Sequence, residues 1–93
     1  MREADLEKRL KTKIESVGGI CWKFISPNCR GVPDRIIIMP TGKVLFVELK
    51  TDKGVVAPLQ QYRIDKLRAL GCDARIIRGR KGVDELLEEL HAI

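Results

Sequence analysis

The stretch DRIIIMPTGKVLFVELK, residues 34–50, most constrains the fold. Two runs rich in β-branched and aromatic residues flank a Pro-Thr-Gly turn, the pattern of a β-hairpin. The apolar residues run almost without interruption, so both faces of this hairpin are expected to be covered by helices or other strands. Its carboxylates stand only at its open end: Asp34 begins the first run, and Glu48, with Lys50, closes the second. Side chains two apart along a strand point the same way, which puts Glu48 and Lys50 on one face. The face of Asp34 depends on the register. A two-residue Thr41-Gly42 turn pairs Asp34 with Leu49 and turns it away from the other two. A three-residue loop that pairs Pro40 with Val44 sets Asp34 opposite Lys50 on the shared face. An odd-length loop or a compensating bulge is therefore expected, with Gly42 supplying a positive φ.

The remaining chain supplies helices and further strands for this hairpin. Leu6, Leu10, Ile14 and Val17 recur at helical spacing and predict an amphipathic helix over 4–17 that ends at Gly18-Gly19. ICWKFI, 20–25, reads as a strand, and SPNCRGVP, 26–33, as a loop. After TDKGVVA, Pro58 can open a second helix with Leu59, Tyr62, Leu67 and Leu70 on its apolar side and Gly71 as its stop. DARIIR is a fourth strand, and 83–91 a closing helix. The order α-β-β-β-α-β-α describes a mixed sheet with helices packed on it. At 93 residues the chain is expected to form one domain, 1–93.

Composition narrows the function classes. No apolar run approaches the roughly 20 residues that span a bilayer, and MREADLEKRL lacks the apolar segment of a secretory signal, so a cytoplasmic location is expected. Cys21, Cys29 and Cys72 form no CxxC pair, and the only histidine, His91, stands near the far end of the chain, which argues against structural zinc. The net charge of +5 points toward a polyanion. Residues 63–81 concentrate seven basic side chains, Arg63 and Lys66 among them, against Asp65 and Asp73. Only four aromatics are present, too few for a surface that stacks single-stranded bases, so Trp22 and Tyr62 are expected to be core or half-buried.

If Asp34, Glu48 and Lys50 converge, two carboxylates offer hard oxygen ligands to Mg²⁺. Such an ion acidifies a coordinated water, and a nearby ammonium favours hydroxide and offsets charge on a pentacovalent phosphate. That chemistry suits phosphodiester hydrolysis. The plainer alternative is a turn-capping Asp34 and a Glu48–Lys50 pair on the sheet rim.

GVPD followed by ELK resembles the PD-(D/E)XK nuclease signature, here Pro33-Asp34 with Glu48-Leu49-Lys50. Together with READLEKRL, GVPDR, FVELK and APLQQYRIDKLRALG, the pattern resembles the virus-type replication-repair nuclease (VRR-NUC) family over nearly the whole chain. The resemblance implies an α/β fold with a single-domain αβββαβ nuclease core, a mixed sheet flanked by helices. It implies Asp34 and Glu48 as ligands of Mg²⁺ or Mn²⁺, the Leu49 carbonyl completing the coordination, and Lys50 acting on the attacking water. An acidic residue of the first helix supports the metal; Glu3 and Glu7, four apart on one face, are both candidates. Gln60 matches the family's glutamine and would bond near Lys50 or to a phosphate, or else be a first-turn polar residue with no task. Arg30 and Arg35 would touch DNA, Arg30 beside a Gly31 that admits a close phosphate. Branched or four-way-junction DNA and a homodimer are the implied substrate and assembly, in a bacterial or phage-infected cell. A non-catalytic nucleic-acid-binding domain and a small phage structural protein are the rivals.

Overall fold

The computed structural model describes residues 1–92. Its elements are α1 (Glu3–Ser16), β1 (Ile20–Lys23), β2 (Arg35–Ile38), β3 (Val44–Lys50), α2 (Pro58–Ala69), β4 (Asp73–Arg78) and α3 (Gly79–Glu89). The order matches the sequence reading; β1 and β2 are shorter than expected, and α3 starts four residues earlier. The four strands form one sheet in the order β1-β2-β3-β4. The β1–β2 and β2–β3 pairs are antiparallel, while β3 and β4 run parallel through the α2 crossover. Among the described residues, no helix is long and apolar enough to cross a membrane.

The hairpin closes through a three-residue loop, Pro40-Thr41-Gly42. Met39 N–H donates to the Lys43 carbonyl at 2.9 Å and Gly42 N–H to the Met39 carbonyl at 2.8 Å, with Gly42 at φ 86°. The odd length and the glycine are as expected, but the ladder is shifted by two: Ile38 faces Val44 and Arg35 faces Val47. One further step sets Asp34 against Glu48, not Lys50. Proline explains the shift, because Pro40 has no N–H to donate in the closing pair and the loop must start after Met39. A shift of two preserves the parity, so Asp34 keeps to the Glu48–Lys50 side.

The main core lies between the sheet and the α1/α3 layer. Leu6, Leu10 and Ile14 are fully buried there against Ile37, Leu45, Val47 and Leu49 from the sheet and Val83 and Leu87 from α3. Val17 is the C-cap of α1 and is exposed instead of extending the stripe. All three helices end in the same arrangement, in which the two residues after the cap donate back to carbonyls of the last turn, as Gly18 does to Glu15 and Gly19 to Ile14 at 3.0 Å each. His91 takes this position after α3 at φ 57°, beyond the helix end at Glu89 and so outside the helix expected over 83–91.

The opposite face of the sheet departs from expectation. Helix α2 packs over β4 and buries only Ile64, while Leu59, Tyr62 and Leu70 face solvent. Trp22, expected to be core or half-buried, is 58% exposed, as Tyr62 is at 55%. Trp22 pairs with Ile36, and Ile38 with Val44, which is also exposed. One helix of 12 residues cannot cover four strands, and the β1–β2 half of this face stays open.

Candidate active site

The site forms where β2 begins and β3 ends, roofed by the first turns of α1. The Asp34 carbonyl accepts from Phe24 N–H at 2.9 Å, continuing the β1–β2 bonding one residue beyond β2. Its side chain leaves the sheet edge, and Oδ1 accepts from Leu49 N–H at 3.1 Å. That bond anchors the carboxylate to the C-terminal end of β3 and leaves the second oxygen for other partners. Helix α1 brings Glu3 and Glu7, one turn apart, above it. One carboxylate oxygen from each of Glu3, Glu7 and Asp34 lies within 4.8 Å of the others.

Three carboxylates at this spacing repel one another unless a cation stands among them, and oxygen donors alone suit a hard divalent ion. The residues present therefore fit Mg²⁺ or Mn²⁺. Glu48 is outside this triad but electrostatically coupled to it. Burial pushes the Glu48 carboxyl above its ordinary range, and the Asp34 charge pushes it further; Lys50 opposes both. Asp34 is likewise raised, first by burial, with the Leu49 N–H and Arg35 acting against it and Glu3 and Glu7 adding to it.

Lys50 Nζ is 3.4 Å from Glu48 Oε2, and Gln60 Nε2 donates to the same oxygen at 3.2 Å. The shared face expected of Glu48 and Lys50 is thus realised as a direct ion pair, on the side of the sheet where α2 lies. Gln60 Oε1 meanwhile accepts from Ala57 N–H at 2.9 Å, the one half of a capping box that an alanine N-cap allows. Its two ends tie the entry of α2 to Glu48. Leu49 points the other way, its side chain fully buried in the main core.

The basic residues divide. Arg30 and Lys66 are exposed. Arg63 donates to the Arg30 carbonyl at 2.9 Å and lies 5.5 Å over the Tyr62 ring, at the mouth of the 26–33 loop. Arg35 departs from its sequence assignment to DNA: it is 5% exposed, donates to the Asp34 carbonyl at 2.8 Å and pairs with Glu7. A guanidinium so enclosed orients acids and presents little to a phosphate. Its burial was invisible in sequence, because Arg35 opens a strand whose parity toward α1 follows only from the register. The basic segment 63–81 also proves less open than its composition suggests. Arg68 bonds the Ala74 carbonyl, Arg75 pairs with Asp73 and Glu89, Arg80 with Asp84, and Arg78 clamps the Thr51 and Gly54 carbonyls after β3.

The VRR-NUC domain model matches residues 3–81, a span that takes in every site residue described above. The p44 protein of Acyrthosiphon pisum secondary endosymbiont phage 1, named as a nuclease by inference, is 44% identical over 71 residues, 76% of each chain. A solved VRR_NUC domain superposes with a TM-score of 0.86 at 30% identity, covering 92% of this chain and 94% of that one. A second solved VRR_NUC domain protein shares the fold, with a TM-score of 0.69 at 20% identity over 96% of this chain and 87% of that one. The chain therefore belongs to the VRR-NUC family of nuclease domains.

Proposed function

We propose that this protein is a Mg²⁺- or Mn²⁺-dependent endonuclease that hydrolyses phosphodiester bonds in branched DNA, four-way junctions above all, as a homodimer. The carrying observation is the meeting of Glu3, Glu7 and Asp34 within 4.8 Å, beside a Glu48 already paired with Lys50. A DNA-binding module without catalysis has no use for carboxylates in the path of phosphates.

A divalent ion bound here would supply the Lewis acidity that activates water and neutralises phosphate charge. Asp34 and Glu48 are its proposed ligands, with the Leu49 carbonyl. Of the two helix acids, Glu3 is exposed and free to turn toward the ion, whereas Glu7 is held by Arg35. Glu3 is therefore assigned to the metal and Glu7 to the positioning of the site. Lys50, at the end of β3, holds its ammonium where it favours the deprotonated state of an attacking water and offsets charge developing on the phosphate. Gln60 fixes the orientation of Glu48. Arg30, Arg63 and Lys66 are proposed to contact the DNA backbone on the α2 side.

The open apolar half of the sheet supports the dimer. Trp22 and Val44 are exposed there beside Ile36 and Ile38, a surface suited to packing against its own copy. One domain has one site, and a two-fold pair would deliver two cuts related by symmetry, as a junction requires. The reaction belongs in the cytoplasm of a bacterial or phage-infected cell. Labelled linear, flap and four-way DNA incubated in Mn²⁺ with wild type and with Lys50→Ala tests the reading. Cleavage by wild type, fastest on the junction and lost in the variant, is expected; no cleavage of any substrate by wild type overturns the enzyme.

A further inference from the structure

A second charged surface lies on the other side of the site, away from α2. Between α1 and β1 runs a groove of about 510 Å³, lined in part by Ala4, Lys8, Lys11 and Lys23. Ala4, Glu7, Lys8 and Lys11 share one helical face, and the small Ala4 leaves the groove open at the end nearest the acids. Lys23, at the end of the edge strand β1, forms the opposite wall. The groove does not stop there. A smaller cleft of about 220 Å³, lined in part by Asp34, shares Glu7, Lys23 and Arg35 with it. The two cavities therefore adjoin, and together they line a path from the lysines toward Asp34.

The charges along this path differ from those of residues 63–81. Arg75 and Arg80 are ion-paired to neighbouring acids. Lys8 and Lys23 have no carboxylate within 4.0 Å among the described residues, and Lys11 has only an exposed partner, Glu15 at 3.6 Å. All three are exposed, with ammoniums on long stems that can follow an irregular anion. Glu7, the one acid in the groove wall, is neutralised by Arg35. The path is thus cationic until it reaches the carboxylates at its end.

We propose that this α1–β1 groove is a phosphate-backbone track that holds a duplex arm of the DNA, Lys8, Lys11 and Lys23 each contacting a phosphate and leading the strand to Asp34. The inference rests on the nuclease reading above and adds a second bank to the substrate surface. The reacting phosphate then lies between two basic walls, this one and that of Arg30, Arg63 and Lys66. A point-charge lysine track makes no base contacts, so it contributes affinity and placement without sequence preference. The occupant is nucleic acid and not an acidic peptide because the path ends at the carboxylates of the proposed nuclease site.

The test is duplex affinity across a salt series in Mg²⁺, by fluorescence anisotropy. Lys50→Ala protein prevents cleavage; Lys8→Gln and Lys23→Gln are added singly and together, with Lys53→Gln as a control in the loop after β3. Each groove variant is expected to weaken binding equally on unrelated sequences. Each should also reduce the slope of log K against log salt by about 0.9, and the pair by about twice that. Unchanged affinity and slope in the double variant, with a parent that binds duplex normally, overturns the groove and leaves the nuclease reading standing. A parent that binds no DNA at any salt removes both. A polyglutamate chain that binds as tightly as DNA, with the same losses in the variants, would assign the groove to acidic polypeptides and overturn the proposal.

Discussion

Gln60 donates from Nε2 to Glu48 Oε2 at 3.2 Å across the gap between α2 and β3. Its other end caps the helix through Ala57 N–H, so the amide cannot turn away without uncapping α2. Gln60→Ala is expected to lower single-turnover cleavage or Mn²⁺ affinity by about 10- to 100-fold, the usual effect of losing a group that orients a ligand. Helix stability should fall by only about 1 kcal/mol. Gln60→Glu keeps the capping oxygen but sets a carboxylate against Glu48, and its activity should be no higher. Cleavage rates alongside thermal melts check this; wild-type rates in both variants would remove Gln60 from the site.

Glu3 and Glu7 lie one turn apart, but only Glu7 is paired with buried Arg35. Glu7→Ala leaves an enclosed guanidinium without its partner and is expected to cost about 1–3 kcal/mol of stability. Glu3→Ala should stay within about 0.5 kcal/mol of wild type, as exposed changes do, yet weaken Mg²⁺ binding. Chemical denaturation and metal titration of the two variants check the division of labour. Equal metal affinity in wild type and Glu3→Ala would pass the ligand role to Glu7.

Burial raises the carboxyls of Asp34 and Glu48 above their ordinary values of 3.8 and 4.5. A carboxyl raised in the folded state favours folding fully below its unfolded pKa, and that contribution is lost as pH rises through the folded pKa. Without metal, these two groups therefore disfavour the fold progressively above the ordinary carboxylate range. A divalent ion needs the ionised forms, so its stabilising effect has the opposite trend. The increase in Tm on adding Mg²⁺ should be slight at acid pH and grow as pH rises through the raised carboxyl range. Asp34→Asn should flatten that dependence. Melts at several pH values, with and without Mg²⁺, give the answer; a Mg²⁺ effect independent of pH speaks against these ligands.

Trp22 and Val44 lie exposed on the uncovered face of the sheet. Trp22→Glu and Val44→Glu add charge to a surface that a second copy would bury, and each is expected to give a monomer by sedimentation. Far-ultraviolet spectra should be unchanged, because neither side chain is part of the main core. A wild type that sediments as a monomer at all concentrations tested would dismiss the dimer.

The short-range patterns of the chain were enough for its element order, the buried stripe Leu6-Leu10-Ile14, the odd length of the hairpin loop with Gly42 at positive φ, and the placing of Glu48 and Lys50 on one face. Each follows from period, parity or turn chemistry, which act between residues close in sequence. The parity of that loop also brought Asp34 to the Glu48–Lys50 side, although Pro40 moved the register by two. What lay beyond reach depended on partners distant along the chain. Arg35 is buried because α1 descends on its face, Glu7 is engaged because Arg35 is buried, and Gln60 meets Glu48 because α2 crosses to pack over β4. The apolar residues of the open sheet face carried no mark of their exposure, since hydrophobic pattern specifies a side that can be covered and not what covers it. Only the tertiary packing, by setting how much of four strands a single α2 can roof, decided that.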